Sequence, residues 1–187
     1  VTNMHAMFNV MSNLTTLNLS NFNTSNVTDM SYMFAVTPKL ATLNLSNFDT
    51  SKVTNMSYMF YGMRNLTTLN LSSFDTSKVT DMEAMFANMS SLISLNLSNF
   101  DTSKVTSMGR IFFLEDKDIP KDKLERIYVN NDFNTDKLTN TYQMFGNRKK
   151  LRGGNGSYLS NPSTADKTWL RIDDPVHGRP GYFTRKP

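Results

Sequence analysis

The sequence predicts an α/β repeat protein: a solenoid of stacked units with parallel strands on one face and short helices on the other, closed by an irregular last unit and a C-terminal β-hairpin cap. Three observations predict it. Met recurs every 26 residues in one slot, at Met4, Met30, Met56, Met82 and Met108. The segments around that slot are near copies: LTTLNLSNFNTSNVTDMSYMF (Leu14 to Phe34), LATLNLSNFDTSKVTNMSYMF (Leu40 to Phe60), LTTLNLSSFDTSKVTDMEAMF (Leu66 to Phe86) and LISLNLSNFDTSKVTSMGRIF (Leu92 to Phe112). Within each copy the hydrophobic spacing changes from two to about three residues. A fixed period of this length marks units that bury, by stacking, a face none could bury alone.

In each unit the stretch Leu-x-x-Leu-x-Leu, as at Leu40, Leu43 and Leu45, predicts a short strand whose last two leucines point inward. Asp-Thr-Ser follows as turn chemistry. Val53, Met56, Met59 and Phe60 then fall on one face of a short helix, started by Thr54 or Ser51. Phe48, Phe74 and Phe100 are expected to form a buried aromatic spine, and all 13 methionines occupy three repeat slots, which makes them adaptable core filler and not a copper-binding surface.

The regular pattern ends at Phe112. Residues 113–123 read as a charged insertion, and 124–152 as a degenerate repeat with one residue extra near Phe133. Residues 1–152 thus form the solenoid and 153–187 the cap, whose Trp169, Leu170, Ile172, Tyr182 and Phe183 lie around Asp-Asp-Pro and Arg-Pro-Gly turns.

Composition narrows the class. With 39% hydrophobic and 19% charged residues the chain carries enough apolar surface to fold. There is no Cys, hence no disulfide or thiolate metal site. No segment approaches the roughly 18 apolar residues of a membrane span, so no membrane insertion is expected. Val1 opens in mid-repeat without a signal peptide, the expected look of a piece excised from a longer chain. The net charge of +4 resides wholly in the basic residues after 112. Four Asn-Leu-Ser sequons, at Asn18, Asn44, Asn70 and Asn96, would load one face with glycan in a eukaryotic secretory pathway, and so favour a bacterial origin.

The segment from Leu40 to Phe60, LxxLxLSxFDTSxVTxMxxMF, resembles the BspA-like leucine-rich repeats of bacterial surface proteins, the lactobacillus surface-protein type in particular. The likeness covers Val1 to Phe112 strongly and Leu124 to Leu151 weakly, and Arg171-Ile172-Asp173 through Pro180-Gly181-Tyr182-Phe183-Thr184 resembles the close of such arrays. The family often has Cys where Met11, Met63 and Met89 stand. The resemblance implies a leucine-rich-repeat solenoid on the surface of a Gram-positive bacterium, or secreted, that adheres to host mucin or matrix glycoprotein.

Chemistry for catalysis is sparse. His5 and His177 lie at opposite ends, no pair of acids marks a cleft, and the Gly-rich run at Gly153 lacks the strand and Lys-Ser/Thr of a phosphate loop. No enzyme, cofactor or metal is expected. A calcium ladder at Asp49, Asp75 and Asp101 is the alternative to turn hydrogen bonding with Lys52, Lys78 and Lys104 close by; one carboxylate per unit falls short of six to eight oxygens.

Binding falls to the outward positions of the strand face, expected to be concave: Thr16, Asn18 and Ser20; Thr42, Asn44 and Ser46; Thr68, Asn70 and Ser72; Ser94, Asn96 and Ser98; then Arg126, Tyr128 and Asn130. Small hydroxyl and amide groups suit glycans or extended glycoproteins. Arg148, Lys149, Lys150 and Arg152 form a candidate cluster for an anionic ligand, with a solvated helix end as the plainer reading. The expected function is non-catalytic adhesion by a monomer through weak, multivalent contacts, with no nucleic acid partner. A structural spacer for another binding domain, and a glycan-processing enzyme or its accessory module, are the alternatives.

Overall fold

A computed structural model describes residues 1–187. Most of the chain is turns and irregular segments, wrapped round one large core and completed by a small parallel sheet of three strands. The repeat organises it. Parallel bridges run Asn3, Asp29, Asn55, Asp81, Ser107, each partner 26 residues on, and then step across the insertion to Asn140.

Where the Met spacing predicts a short helix the chain forms none, and this is the main correction to the sequence reading. Alternate residues of the stretch donate to the next unit: Met30, Tyr32, Phe34 and Val36 N–H groups bond the carbonyls of Asn55, Ser57, Met59 and Tyr61 at 2.7–3.0 Å. The residues between them close tight turns at home, Met33 onto Met30 and Ala35 onto Tyr32. A four-residue turn brings its first and last residues together as a helical turn does, so spacing of three serves both. The inter-unit bonds decide, because they take the N–H groups a helix would spend internally.

This path has a conformational cost. Third place in the first turn needs a left-handed residue, and Ala6, Tyr32, Tyr58, Ala84, Arg110 and Gln143 take it with φ of 47–58°. A second left-handed slot, four residues on, holds Val10, Val36, Gly62, Asn88 and Asn147. A β-branched residue is the worst occupant of that region, whereas Asn and Gly tolerate it. Val10 is 61% exposed and contributes little burial there. Val10→Asn is therefore expected to stabilise the chain by about 1 kcal/mol, raising the melting temperature by about 2–4 °C. A lower melting temperature would show that Val10 packing outweighs the backbone strain.

On the Leu side the predicted strands form only late. The strands are β1 (Ser94–Asn96), β2 (Arg126–Val129) and β3 (Phe183–Arg185), all parallel, with Leu95 opposite Ile127 and Ile127 opposite Phe183. In the first three units the corresponding stretches form no strand, and side chains bridge them. Asn47 Nδ2 donates to the Leu19 and Phe22 carbonyls, Ser73 Oγ to that of Leu45, and Asn99 Nδ2 to those of Leu71 and Phe74. A buried hydroxyl row lies beside them. Thr24, Thr50 and Thr76 each donate to the carbonyl of the next unit's Asp and accept from its N–H.

The core is a stack of aromatic rings, and its spine is not the Phe row expected. Phe8, Phe34, Phe60, Phe86, Phe112 and Phe145 stack with centroids 5.2–6.0 Å apart. Phe22, Phe48, Phe74 and Phe100 tilt against its side at 6.1–6.4 Å. The methionines fill in around the spine and are buried except Met7 and Met11, each 42% exposed.

Past Phe112 the insertion folds back on earlier units. Glu115 and a 3-10 turn, Asp116–Lys121, meet Arg64, whose Nε bonds Asp118 at 2.8 Å and whose Nη2 bonds Glu115 at 3.2 Å. Glu115 also accepts from Tyr61 Oη at 2.8 Å; burial first, and this bond second, push the phenol up to about 12.

The predicted hairpin cap is also corrected. β3 extends the sheet in parallel beside β2, reached through 3-10 turns at Pro162–Thr164, Lys167–Trp169 and Pro175–His177. Antiparallel pairing is confined to the bridge between Asp174 and Arg179. Sequence pattern cannot separate these outcomes; the open edge of β2 and the spine's end do. Phe183 and Tyr182 cover Phe112, Phe133 and Phe145, and buried Asp173 accepts from the N–H groups of Asn155, Ser157 and Gly181.

Candidate functional site

The unpaired Leu stretches leave clefts between units. One, about 240 Å³, is lined by Leu17, Leu19, Asn18, Ser20, Asn44 and Ser46. Another, about 410 Å³, is lined by Leu69, Leu71, Asn70, Ser72, Asn96 and Ser98. The structure thus gathers eight of the expected face residues into two polar clefts with leucine walls. Thr16, Thr42, Thr68 and Ser94 are exposed beside them.

Hydrogen bonding halves what the amides can offer. In every unit the Asn Oδ1 accepts from the Ser N–H two residues on, at 2.9–3.0 Å, for Asn18, Asn44, Asn70 and Asn96 alike. These are local turns of the Asx kind. The Nδ2 donors remain exposed, together with the hydroxyls of Ser20, Ser46 and Ser72. The continuous backbone ladder runs through the Thr-x-Met stretch and not through this face.

At its far end the face changes character. Strand register sets Tyr128 between Asn96 of β1 and Thr184 of β3, and Arg126 beside Ser94. The Lys186 ammonium lies 5.8 Å from the Tyr128 ring centre. Arg126 Nη1 bonds the carbonyls of Glu125 and Arg152, and the Asn130 carbonyl accepts from Arg185. Sequence reasoning missed Thr184 and Lys186, because a cap read as a hairpin gives no reason to set them against Tyr128. Their signal was the alternation Phe183, Thr184, Arg185 after Gly181.

The basic run after Asn147 does not form one surface. Arg148 is 1% exposed: its Nε donates to the Phe112 carbonyl at 2.7 Å and its Nη1 to Asp122 Oδ1 at 2.8 Å. Burial pulls the guanidinium pKa down, and Asp122 and Asp118 oppose that pull. Arg152 stacks on Tyr158 at 4.0 Å and bonds the Lys149 and Leu151 carbonyls. Only Lys149 and Lys150 face solvent as the sequence suggests.

The Asp row is turn chemistry. Oδ1 of Asp49, Asp75 and Asp101 accepts from the N–H of Ser51, Ser77 and Ser103 at 2.9–3.0 Å, and the serine hydrogen bonds hold all three carboxyls below their ordinary range. No three His, Asp or Glu residues converge as metal ligands. No helix is long and apolar enough to cross a membrane.

His5 does meet a hydroxyl, Ser31 Oγ, at 2.7 Å, but Ser31 donates its own proton to Asp29 Oδ1 at 2.6 Å. A nucleophile needs the imidazole between hydroxyl and acid. Here the hydroxyl stands between imidazole and acid. Exposed His177 lies at the other end and pairs with half-buried Asp174.

A family model described as Mycoplasma protein of unknown function, DUF285, matches residues 1–69 and 63–168. No curated protein and no solved structure matches the chain.

Proposed function

Since this chain belongs to the DUF285 family, whose description names no activity, we propose from its own surface that it is a non-catalytic adhesin. In this reading the parallel-bridged units are a leucine-rich-repeat solenoid of the BspA-like kind. It is displayed on a bacterial cell surface or secreted, and holds host mucin or matrix glycoprotein as a monomer. The supporting observation is one face on which Asn-Ser clefts repeat and end at Tyr128, with Arg126 and Lys186 alongside. Exposed amide donors and hydroxyls match sugar hydroxyls, and an aromatic ring offers a face for a sugar ring's C–H groups. Each cleft is small, so single contacts are weak, and many copies on a cell add avidity.

The test is binding of the purified chain to immobilised mucin and to an array of glycans and matrix proteins. Tyr128→Ala and Arg126→Ala are each expected to weaken binding about tenfold, equivalent to about 1.4 kcal/mol. Unchanged binding in both variants would remove the face from the mechanism. The turn bonds made by Oδ1 of Asn18, Asn44, Asn70 and Asn96 favour a second reading, a spacer that carries another binding domain. It predicts no binding by this chain while a longer parent adheres.

A further inference from the structure

Three of the insertion's four carboxylates turn inward, Asp118 and Glu115 to Arg64 and Asp122 to Arg148, with Asp118 and Asp122 each 2% exposed, while Asp116 stays exposed and accepts from Asn147 Nδ2. Asp122, with extended backbone of φ −60° and ψ 131°, lies between Lys121 and Lys123. Both are exposed, and neither forms an ion pair. They border a groove of about 460 Å³ whose other walls are Pro38, Arg64, Asn65, Ser90 and Ser91, and no carboxylate lines it. The inward acids hold Arg64 in the wall, and Ser91 Oγ donates to the Arg64 carbonyl at 2.6 Å. This groove is distinct from the clefts and from the basic run after Asn147.

We propose that this groove binds an acidic sugar through its charged oxygens, a carboxylate or a sulfate ester. Lys121 and Lys123 supply the two uncompensated charges, while exposed Asn65 supplies neutral hydrogen bonds. The volume exceeds that of a bare anion and falls in the range of small-ligand sites. No aromatic residue lines the walls for base stacking, which separates the groove from a single-stranded nucleic acid site. The choice of a sugar as the carrier rests on the adhesin reading; the anion site itself does not.

Titrating the whole chain calorimetrically at low salt with a sulfated trisaccharide, a sialylated trisaccharide, their neutral parent and inorganic sulfate tests this. At least one acidic sugar is expected to bind, at least tenfold more tightly than the neutral parent. The Lys121→Ala/Lys123→Ala double variant is expected to lose at least tenfold in that affinity with an unchanged melting temperature, and Lys121→Arg/Lys123→Arg to retain it. Half-molar salt should weaken it strongly. Equal affinity in the Ala double variant, or for the neutral parent, would overturn the proposal. Inorganic sulfate binding as tightly as the sugars would overturn the sugar assignment and leave an anion site. Lys121 and Lys123 lie outside the strand face, so failure of that face, read on mucin with its own variants, and failure of this groove, read on the lysine variants, give different results.

Discussion

Replacing Arg148 with Met is expected to destabilise the chain by about 3–5 kcal/mol, read as a lower urea midpoint. The guanidinium is the largest polar group in the interior and ties three carbonyls together: Phe112 at 2.7 Å, and Met89 and Phe86 at 3.4 Å. Its loss leaves Asp122 as an unpaired charge that is 2% exposed, with Oδ2 already lacking a hydrogen bond. Removing one member of a buried pair costs far more than removing both. Arg148→Met/Asp122→Leu is therefore expected to recover a good part of the loss, though not the carbonyl bonds. A cost below about 1 kcal/mol for Arg148→Met would mean that the pair contributes like a solvated one.

The second large effect is expected at the middle of the aromatic spine. Phe86 is 1% exposed and touches Phe60 and Phe112 at 5.9 Å and Phe100 at 6.3 Å. Phe86→Ala is expected to cost about 3–5 kcal/mol. Phe8, at the open end, meets only Phe34 and Phe22, so Phe8→Ala should cost less than half as much. Comparing the two by thermal unfolding tests whether units are held by neighbours on both sides. Equal costs would place the stabilisation inside single units. Unfolding in two steps for Phe86→Ala would show that the break divides the stack.

How legible the site was depends on which residues are considered. The outward Asn and Ser positions follow from leucine alternation, and the structure gathers eight of them into two clefts. That their Oδ1 atoms are spent in turns follows from backbone geometry, since Asn and Ser two apart can equally face a ligand. Arg148 shows the limit most plainly. Beside Lys149 and Lys150 it reads as surface, yet its place is fixed by Asp122, 26 residues away in the sequence. The groove at Lys121 and Lys123 was hidden for the same reason. A run such as EDKDIPKDK states its charges without stating which of them fold inward.

By itself the sequence determined that the chain is built of 26-residue units in register, that Met and Phe fill its core, and that the regular pattern fails after Phe112. Identical side chains at a fixed period can be buried together only by stacking. Tertiary structure decided what each unit is made of. Backbone donors in the Met stretch bond the next unit, which substitutes left-handed turns for a helix, and backbone pairing on the Leu side closes only where β2 and β3 meet β1. Turn and helix share a spacing of three, and hairpin and parallel strand share an alternation of two. Only the positions of the neighbouring units, which supply the hydrogen-bond partners, choose between them.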